Sequence, residues 1–169
     1  MTTKFKISVI IPTYNRHALL ERAVLSVLKQ TRPADEIIII DDGSTDGTAE
    51  LIPKKFPQIL YSWQENKGVS TARNAGIESA SSEWIAFLDS DDTWLRRKLE
   101  YQQKSLIENP EFLICHTNEI WIRHGKRVNP LKKHQKSGGY IFEKCLYIYP
   151  ICFYLQCIIN NKDNRHWFF

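Results

Sequence analysis

Four short apolar segments, rich in β-branched and aromatic residues, recur along the first ninety positions, and each predicts a buried strand. The predicted strands span residues 6–11, 37–40, 59–63 and 84–88. Between them, apolar residues recur at helical spacing in segments that begin near residues 17, 48 and 68. This alternation of strand and helix is typical of an α/β fold, in which helices cover both faces of a mostly parallel sheet.

Later in the chain the regular alternation gives way to mixed signals. Residues 95–107 have helical periodicity, and residues 112–115 and 120–122 are typical of short strands. Residues 140–159 are dense in aromatic and aliphatic side chains, but their charge-free part has only 15 residues. Since a helix needs about 20 residues to cross a bilayer, we expect this segment to pack in the core or lie at an interface.

Charge is divided unevenly between the two halves of the chain. Residues 1–92 hold 10 Lys/Arg against 13 Asp/Glu, whereas residues 93–169 hold 13 against 6. Residues 123–136 carry six of these cations and no acid. We interpret that segment as a solvated loop, with contact to an anionic acceptor or a membrane surface as the alternative, and we expect no nucleic-acid partner.

The cysteines bear on the compartment. None of the four is in a CxxC spacing and no secretory signal precedes them, so we expect free thiols in a cytoplasmic chain. A zinc site that uses Cys115 and His116 is a minor alternative, because the other histidines are scattered singly.

Residues that can carry chemistry follow three of the predicted strands. Asp89 and Asp91 follow the fourth strand, Asp42 follows the second, and residues 12–15 follow the first. The carboxyl ends of parallel strands share one edge, where ligands bind in open α/β sheets. Carboxylates grouped there repel one another until a cation relieves them, and they suit Mg²⁺ or Mn²⁺ that carries a diphosphate. The sequence therefore predicts a metal-diphosphate site, with a base packed near Tyr14 and hydrogen-bonded by Asp42.

Two other motifs were weighed against this interpretation. Residues 42–47 imitate the start of a calcium loop, but the twelfth position is Pro53 instead of a bidentate glutamate. Residues 89–93 resemble the DxDxT motif of the haloacid-dehalogenase phosphatases, in which Asp89 would attack phosphate. Those enzymes need further acidic metal ligands downstream, and Asp163 is the only aspartate beyond Asp92.

Four segments taken together resemble the family 2 glycosyltransferases of the GT-A fold. The matching segments are Ser8-Val9-Ile10-Ile11-Pro12-Thr13-Tyr14-Asn15-Arg16, Asp41-Asp42-Gly43-Ser44-Thr45-Asp46, Gly68-Val69-Ser70-Thr71-Ala72-Arg73-Asn74-Ala75-Gly76 and Phe87-Leu88-Asp89-Ser90-Asp91-Asp92. The resemblance implies an inverting transfer of a sugar from a nucleoside diphosphate sugar to a hydroxyl of a glycan or lipid-linked acceptor, with cell-envelope polysaccharide assembly as the expected setting. It also implies a divalent metal, Mn²⁺ or Mg²⁺, which neutralises the charge of the leaving diphosphate.

The resemblance also assigns residues. Pro12, Tyr14 and Asp42 would contact the nucleoside, and Arg73 would lie near the nucleotide. Asp89 and Asp91 match the DxD motif, with Asp91 as the direct metal ligand. Asn15 and Ser90, which stand inside the matching motifs, are grouped with the substrate-binding residues.

The chain departs from the family after the DxD motif. The downstream Glu-Asp pair that supplies the family's general base does not appear, so no catalytic base is named. We therefore divide the chain into a nucleotide-sugar-binding GT-A core, residues 1–120, and an incomplete acceptor-side region, residues 121–169. The last ~20 residues, which lack patterning, are expected to lie outside the family pattern. A remnant that binds the donor without transfer, a phosphatase of the DxDxT kind, and a peripheral position at the inner face of the membrane through the basic loop stay open as alternatives.

Overall fold

The computed structural model describes residues 5–129 and 157–161. The helices of this part of the chain are α1 (His17–Leu28), α2 (Thr48–Lys55), α3 (Val69–Ser79) and α4 (Lys98–Glu108). The strands are β1 (Ile7–Thr13), β2 (Glu36–Asp41), β3 (Leu60–Trp63), β4 (Trp84–Phe87), β5 (Ile114–His116), β6 (Trp121–Arg123), β7 (Lys126–Val128) and β8 (Cys157–Asn160).

Six of these strands form one sheet in the order β3-β2-β1-β4-β8-β5. The four strands from β3 to β4 are parallel, and β8 runs antiparallel to both of its neighbours. Strands β6 and β7 form a separate antiparallel hairpin. The prediction of an α/β fold built on a mostly parallel sheet is confirmed.

Helices cover both faces of the sheet because β1 is apolar on both of its sides. All seven residues of β1 are buried. Val9 and Ile11 belong to a core cluster that includes Leu20 of α1, whereas Ile10 belongs to a second cluster that includes Ala72 of α3. Successive side chains of a strand point to opposite faces, so one strand supplies both cores.

Helix α3 approaches the sheet closely enough to fix the position of its first turn. A Cβ added at Gly76 would lie 2.4 Å from Cγ2 of Ile10, a distance that no side chain tolerates. Glycine at this position lets the helix backbone lie directly on β1. The N-terminal end of α3, with Gly68 and Arg73, is thereby held beside the strand ends.

Strand β8 is the element that the sequence pattern did not reveal. Ile158 and Ile159 are buried between β4 and β5, so the expectation of core packing is confirmed for these two residues. Residues 140–156 lie outside the described residues, as does the second half of the basic segment 123–136. Within the described ranges, no helix is both long and apolar enough to cross a membrane.

Candidate functional site

A cleft of about 550 Å³ opens at the carboxyl edge of the sheet. The ends of β1, β2 and β4 meet there with the first turn of α3. The residues that line it are Pro12, Thr13, Tyr14, Arg16, Asp42, Asn66, Gly68, Val69, Ala72, Arg73, Asp89, Ser90 and Asp91. The fold therefore brings every candidate residue except Asn15 to one cleft.

Asp42 organises one end of the cleft. Its Oδ1 accepts hydrogen bonds from the Gln64 side chain at 2.7 Å and from the Lys67 backbone N–H at 2.9 Å, and its Oδ2 accepts one from Gly68 N–H at 2.8 Å. The residue is only 4% exposed. These bonds fix the chain that enters α3, and they leave one of the carboxylate's roughly four acceptor positions for another donor. Tyr14, which is half exposed, lines the same cleft.

Asn15 holds two loops together instead of lining the cleft. Its backbone N–H donates to the Ser44 hydroxyl at 2.8 Å, and its side-chain oxygen accepts from Thr45 N–H at 2.7 Å. Its φ of 49° lies in the left-handed region, where asparagine is tolerated better than most residues. Asn15 therefore fixes the loop after β1 against the loop after β2, and so sets the position of Tyr14.

An ion pair between buried Arg73 and partly buried Asp89 lines the cleft. Arg73 Nη2 donates to Asp89 Oδ1 at 2.8 Å, and the arginine side chain is only 4% exposed. Burial raises the pKa of Asp89, while the charge of Arg73 and its hydrogen bond act in the opposite direction without cancelling that rise. Arg73 thus orients Asp89 and delivers a fixed positive charge to the middle of the site.

Asp91 lies two residues further on and is more open to solvent. Arg16 Nη1 donates to Asp91 Oδ2 at 2.7 Å, and each side chain is about half exposed. An exposed pair of this kind is weak and exchanges readily with other partners. Asp91 is therefore the carboxylate of the motif that is most accessible to a ligand.

The donor set fits a divalent cation that is shared with a phosphate ligand. Asp89 and Asp91 both line the cleft, but the described ranges contain no group of three or more His, Cys, Asp or Glu that could enclose a metal. Mg²⁺ and similar cations are commonly held by one or two carboxylates, with substrate phosphates and water completing the shell. The same result leaves the zinc alternative at Cys115 and His116 without a ligand set among the described residues.

Asp46 acts as a local anchor for the starts of two helices. Its carboxylate accepts hydrogen bonds from the backbone N–H groups of Thr48 and His17, at the starts of α2 and α1. Burial by itself raises the pKa of Asp46, but the hydrogen bonds from Thr48 and His17 outweigh it and lower the pKa to about 2. The Asp46 carboxylate thus binds the starts of α1 and α2. This agrees with the conclusion that residues 42–47 do not form a calcium loop.

Several residues of the cleft were not selected from the sequence. Arg16 is the last residue of the first matching segment, and its signal was a cation next to Asn15. Gly68 has a φ of 89°, which favours glycine and places the start of α3 at the cleft. Asn66 carries no sequence signal. It lies in the cleft next to Lys67, whose backbone N–H donates to Asp42.

The fold and the cleft define an open, doubly wound α/β protein whose polar residues gather at the edge where such sheets bind ligands. Residues 8–160 match the family model described as Glycosyl transferase family 2. The chain belongs to glycosyl transferase family 2. The last ~20 residues were expected to lie outside the family pattern. Because the match reaches residue 160, that prediction is wrong for the residues up to 160.

Curated relatives agree with this family. An uncharacterized glycosyltransferase of Rickettsia bellii is 42% identical over 149 residues, which are 86% of this chain and 21% of that protein. A putative teichuronic acid biosynthesis glycosyltransferase, TuaG, of Bacillus subtilis is 43% identical over 107 residues, which are 60% of this chain and 42% of that protein. The chain therefore spans less than half the length of either relative.

Solved structures support the same fold. The mannosyltransferase PcManGT of Pyrobaculum calidifontis, described in complex with GDP-Man and Mn²⁺, is 28% identical with a TM-score of 0.58 and is matched over 67% of this chain and 35% of that one. Residues 1–349 of TarS from S. aureus match 94% of this chain and 49% of that one, with a TM-score of 0.69 and 24% identity. The TarS match bears on the fold alone, and it confirms the expected GT-A type.

Proposed function

We propose that the chain binds a nucleoside diphosphate sugar in this cleft and transfers the sugar to an acceptor hydroxyl. The observation that carries the proposal is the composition of one cleft in a family 2 chain: Tyr14 and Asp42 line it together with Arg73, Asp89 and Asp91. An aromatic ring with a buried acceptor suits a base, and cations with carboxylates suit a metal-bound diphosphate.

The proposed contact with the nucleoside follows from the hydrogen bonds of Asp42, which leave one acceptor position on its carboxylate. Uracil, thymine and guanine each present a ring N–H, and the acceptor position left on Asp42 can receive it. Tyr14 offers a half-exposed ring for the base to pack against, while Pro12 supplies a rigid wall beside it. In the proposed complex Ser90 and Asp89 contact the ribose and the diphosphate from the β4 side.

The diphosphate end combines two arginines with the carboxylates. Arg73 is held in place by Asp89, so it offers its charge without reorganisation. Arg16 is exposed, and its ion pair with Asp91 is an exposed one, so it can exchange that partner for a phosphate oxygen when Asp91 binds a cation. A bound Mn²⁺ or Mg²⁺ supplies charge neutralisation of the leaving diphosphate.

The acceptor and the setting of the reaction are proposed from a relative of this chain and from its basic residues. The relative TuaG is named for teichuronic acid biosynthesis, so we assign the chain to assembly of a cell-envelope polysaccharide or a lipid-linked glycan. We place the reaction in the cytoplasm, with the basic residues 123–136 as a peripheral contact to the inner face of the membrane.

A second candidate function is donor binding without transfer. Its support is that the three cleft carboxylates already have partners within the described residues: Asp42 accepts three hydrogen bonds, Asp89 pairs with Arg73, and Asp91 pairs with Arg16. None of them is placed as an unengaged general base. Transfer would then need a general base other than these three carboxylates.

Calorimetric titration with UDP, GDP and dTDP sugars, followed by a hydrolysis assay on each donor that binds, separates the two candidates. We expect one nucleotide to bind with a dissociation constant below that of the other two, and free sugar to appear with the same donor. Binding without any sugar release supports the second candidate. Absence of binding for all three nucleotides contradicts both.

A further inference from the structure

A second cavity, of about 580 Å³, lies on the other side of the acidic segment from the nucleotide cleft. Its walls come from the start of α4 and from the β6-β7 hairpin, and they include Trp94, Tyr101, Trp121 and Ile122. Tyr101 and Ile122 are 54% and 68% exposed, so apolar surface faces the open space. The volume falls in the range of about 300–1,000 Å³ that is typical of small-molecule sites.

The polar groups around this cavity are suited to a neutral ligand with many hydroxyls. The walls carry three cations. Arg97 pairs with Glu100 and lies over the Tyr101 ring, Lys98 lies 4.4 Å from the centre of the Trp94 ring, and Arg123 shares the lining with the carboxylates of Asp92 and Glu119. Thr117 and Asn118 contribute neutral donors and acceptors to the lining. A phosphate would find Arg97 and Lys98 engaged, whereas a pyranose would find apolar rings for its C–H face and polar atoms for its hydroxyls.

The cavity and the nucleotide cleft are lined by consecutive residues of the acidic segment. Asp91 lines the cleft and Asp92, the next residue, lines the cavity. A ligand in the cavity would therefore lie beside the carboxylates that hold the metal-diphosphate end of the donor in the proposed function.

We propose that this cavity binds the carbohydrate acceptor, with the Trp121 ring as its stacking platform. The Trp121 Nε1–H donates to Glu119 at 3.2 Å, which orients the ring in the hairpin. The inference rests on the proposed function, because it takes the acceptor to be a glycan. It assigns that glycan to a site built by α4 and the hairpin.

The proposal is tested by NMR of the full chain labelled with ¹⁵N at its tryptophan indoles, titrated with chitotriose, cellotriose and maltotriose. Loss of one indole signal in Trp121→Phe assigns Trp121. We expect at least one of the trisaccharides to shift the Trp121 signal while the signal of Trp63, which is 55% exposed on β3, stays in place. Equal shifts at Trp63 and Trp121 would indicate nonspecific contact with exposed rings and would overturn the proposal.

Matched variants separate stacking from structure. Trp121→Ala is expected to weaken trisaccharide binding by about tenfold or more, because it removes the aromatic anchor. Trp121→Phe keeps a ring and loses only the bond to Glu119, so its affinity should stay within a few-fold of the parent. Trp63→Ala is the control and should leave the affinity unchanged. A tenfold loss in Trp121→Phe as well would contradict stacking.

Parallel titration with the nucleotides keeps this test separate from that of the proposed function. Nucleotide binding without any trisaccharide shift at Trp121 overturns the acceptor site and leaves the donor site standing. Trisaccharide binding without nucleotide binding contradicts the proposed function instead. A shift caused by 1,6-hexanediol but by none of the trisaccharides would assign an apolar occupant to the cavity, which also overturns the proposal.

Discussion

At the scale of single residues, the cleft has two ion pairs of different strength. Arg73 and Asp89 form a pair in which the arginine side chain is 4% exposed, whereas Arg16 and Asp91 are each about half exposed. Loss of one partner from a buried pair leaves an uncompensated charge, but loss of an exposed partner is compensated by water. The first pair is thus structural and the second is available for exchange.

Unfolding in urea distinguishes these pairs. Arg73→Ala is expected to lower the free energy of unfolding by about 3 kcal/mol, because Asp89 stays buried without its cation. Arg16→Ala is the matched control and should change it by less than about 1 kcal/mol. Equal losses in the two variants would contradict the distinction between a fixed and an exchangeable arginine.

Asp46 contributes a stability that depends on pH. Its pKa is lowered from 3.8 to about 2 in the folded chain, so its contribution is present above pH 3.8 and is lost as the pH falls through about 2. Asp46→Asn should therefore be less stable than the parent at pH 6, and the difference should shrink between about pH 4 and pH 2. Chemical denaturation at pH 6 and pH 2.5 measures it, with Glu50→Gln, another acid near the start of α2, as the control. A difference that stays constant over that range would be inconsistent with the hydrogen bonds to Thr48 and His17.

At the scale of elements, the contact between α3 and β1 sets the width of the cleft. Gly76 lies directly against Ile10, which is fully buried. Because α3 also carries Arg73 and directly follows Gly68, any movement of the helix changes the cleft.

A double-mutant cycle tests this contact. Gly76→Ala is expected to destabilise the fold by about 1–2 kcal/mol, because overpacking outweighs the gain in helix propensity. It should also weaken nucleotide binding as α3 moves. In the double variant with Ile10→Ala, the added methyl has room. Its loss in free energy of unfolding should therefore be at least about 1 kcal/mol smaller than the sum of the losses in the two single variants. Additive effects would show that the helix is not seated on Ile10.

The sequence predicted elements where local pattern and burial agree. The apolar β-branched strands β1 and β2 are buried on both faces, so their residues alone identify them. Strand β8 was missed because its pairing with β4 and β5 joins parts of the chain more than forty residues apart, and no local period records such a contact. The same reason applies to Arg16, whose partner Asp91 is 75 positions away. The acids after β4 were found because their grouping is visible in the sequence itself.

At the scale of the whole molecule, β8 joins the later part of the chain to the sheet. It lies between β4, which precedes the acidic segment, and β5, which follows α4. Ile158 is fully buried there and belongs to the same core cluster as Val9. The sheet therefore includes residues from beyond the 1–120 core that the sequence suggested.

Truncation of Ile158 tests this continuity. Ile158→Ala is expected to lower the free energy of unfolding by about 2–5 kcal/mol, because a fully buried side chain leaves a cavity. Ile107→Ala, at a position that is 59% exposed, should have an effect of less than about 1 kcal/mol. A negligible effect of Ile158→Ala would mean that β8 is not part of the cooperative unit.

Donor binding through Asp91 and a divalent cation is tested most directly by calorimetry of the preferred nucleotide with and without Mn²⁺. In the parent chain Mn²⁺ should raise the affinity at least about tenfold, because a cation held by Asp91 would offset the charge of the diphosphate. Asp91→Asn should abolish that gain and keep a native circular-dichroism spectrum, while Glu108→Gln, an exposed acid at the end of α4, should retain the gain. An Asp91→Asn variant with the full Mn²⁺ dependence of the parent would contradict the assignment of Asp91 as the metal-binding carboxylate of the donor cleft.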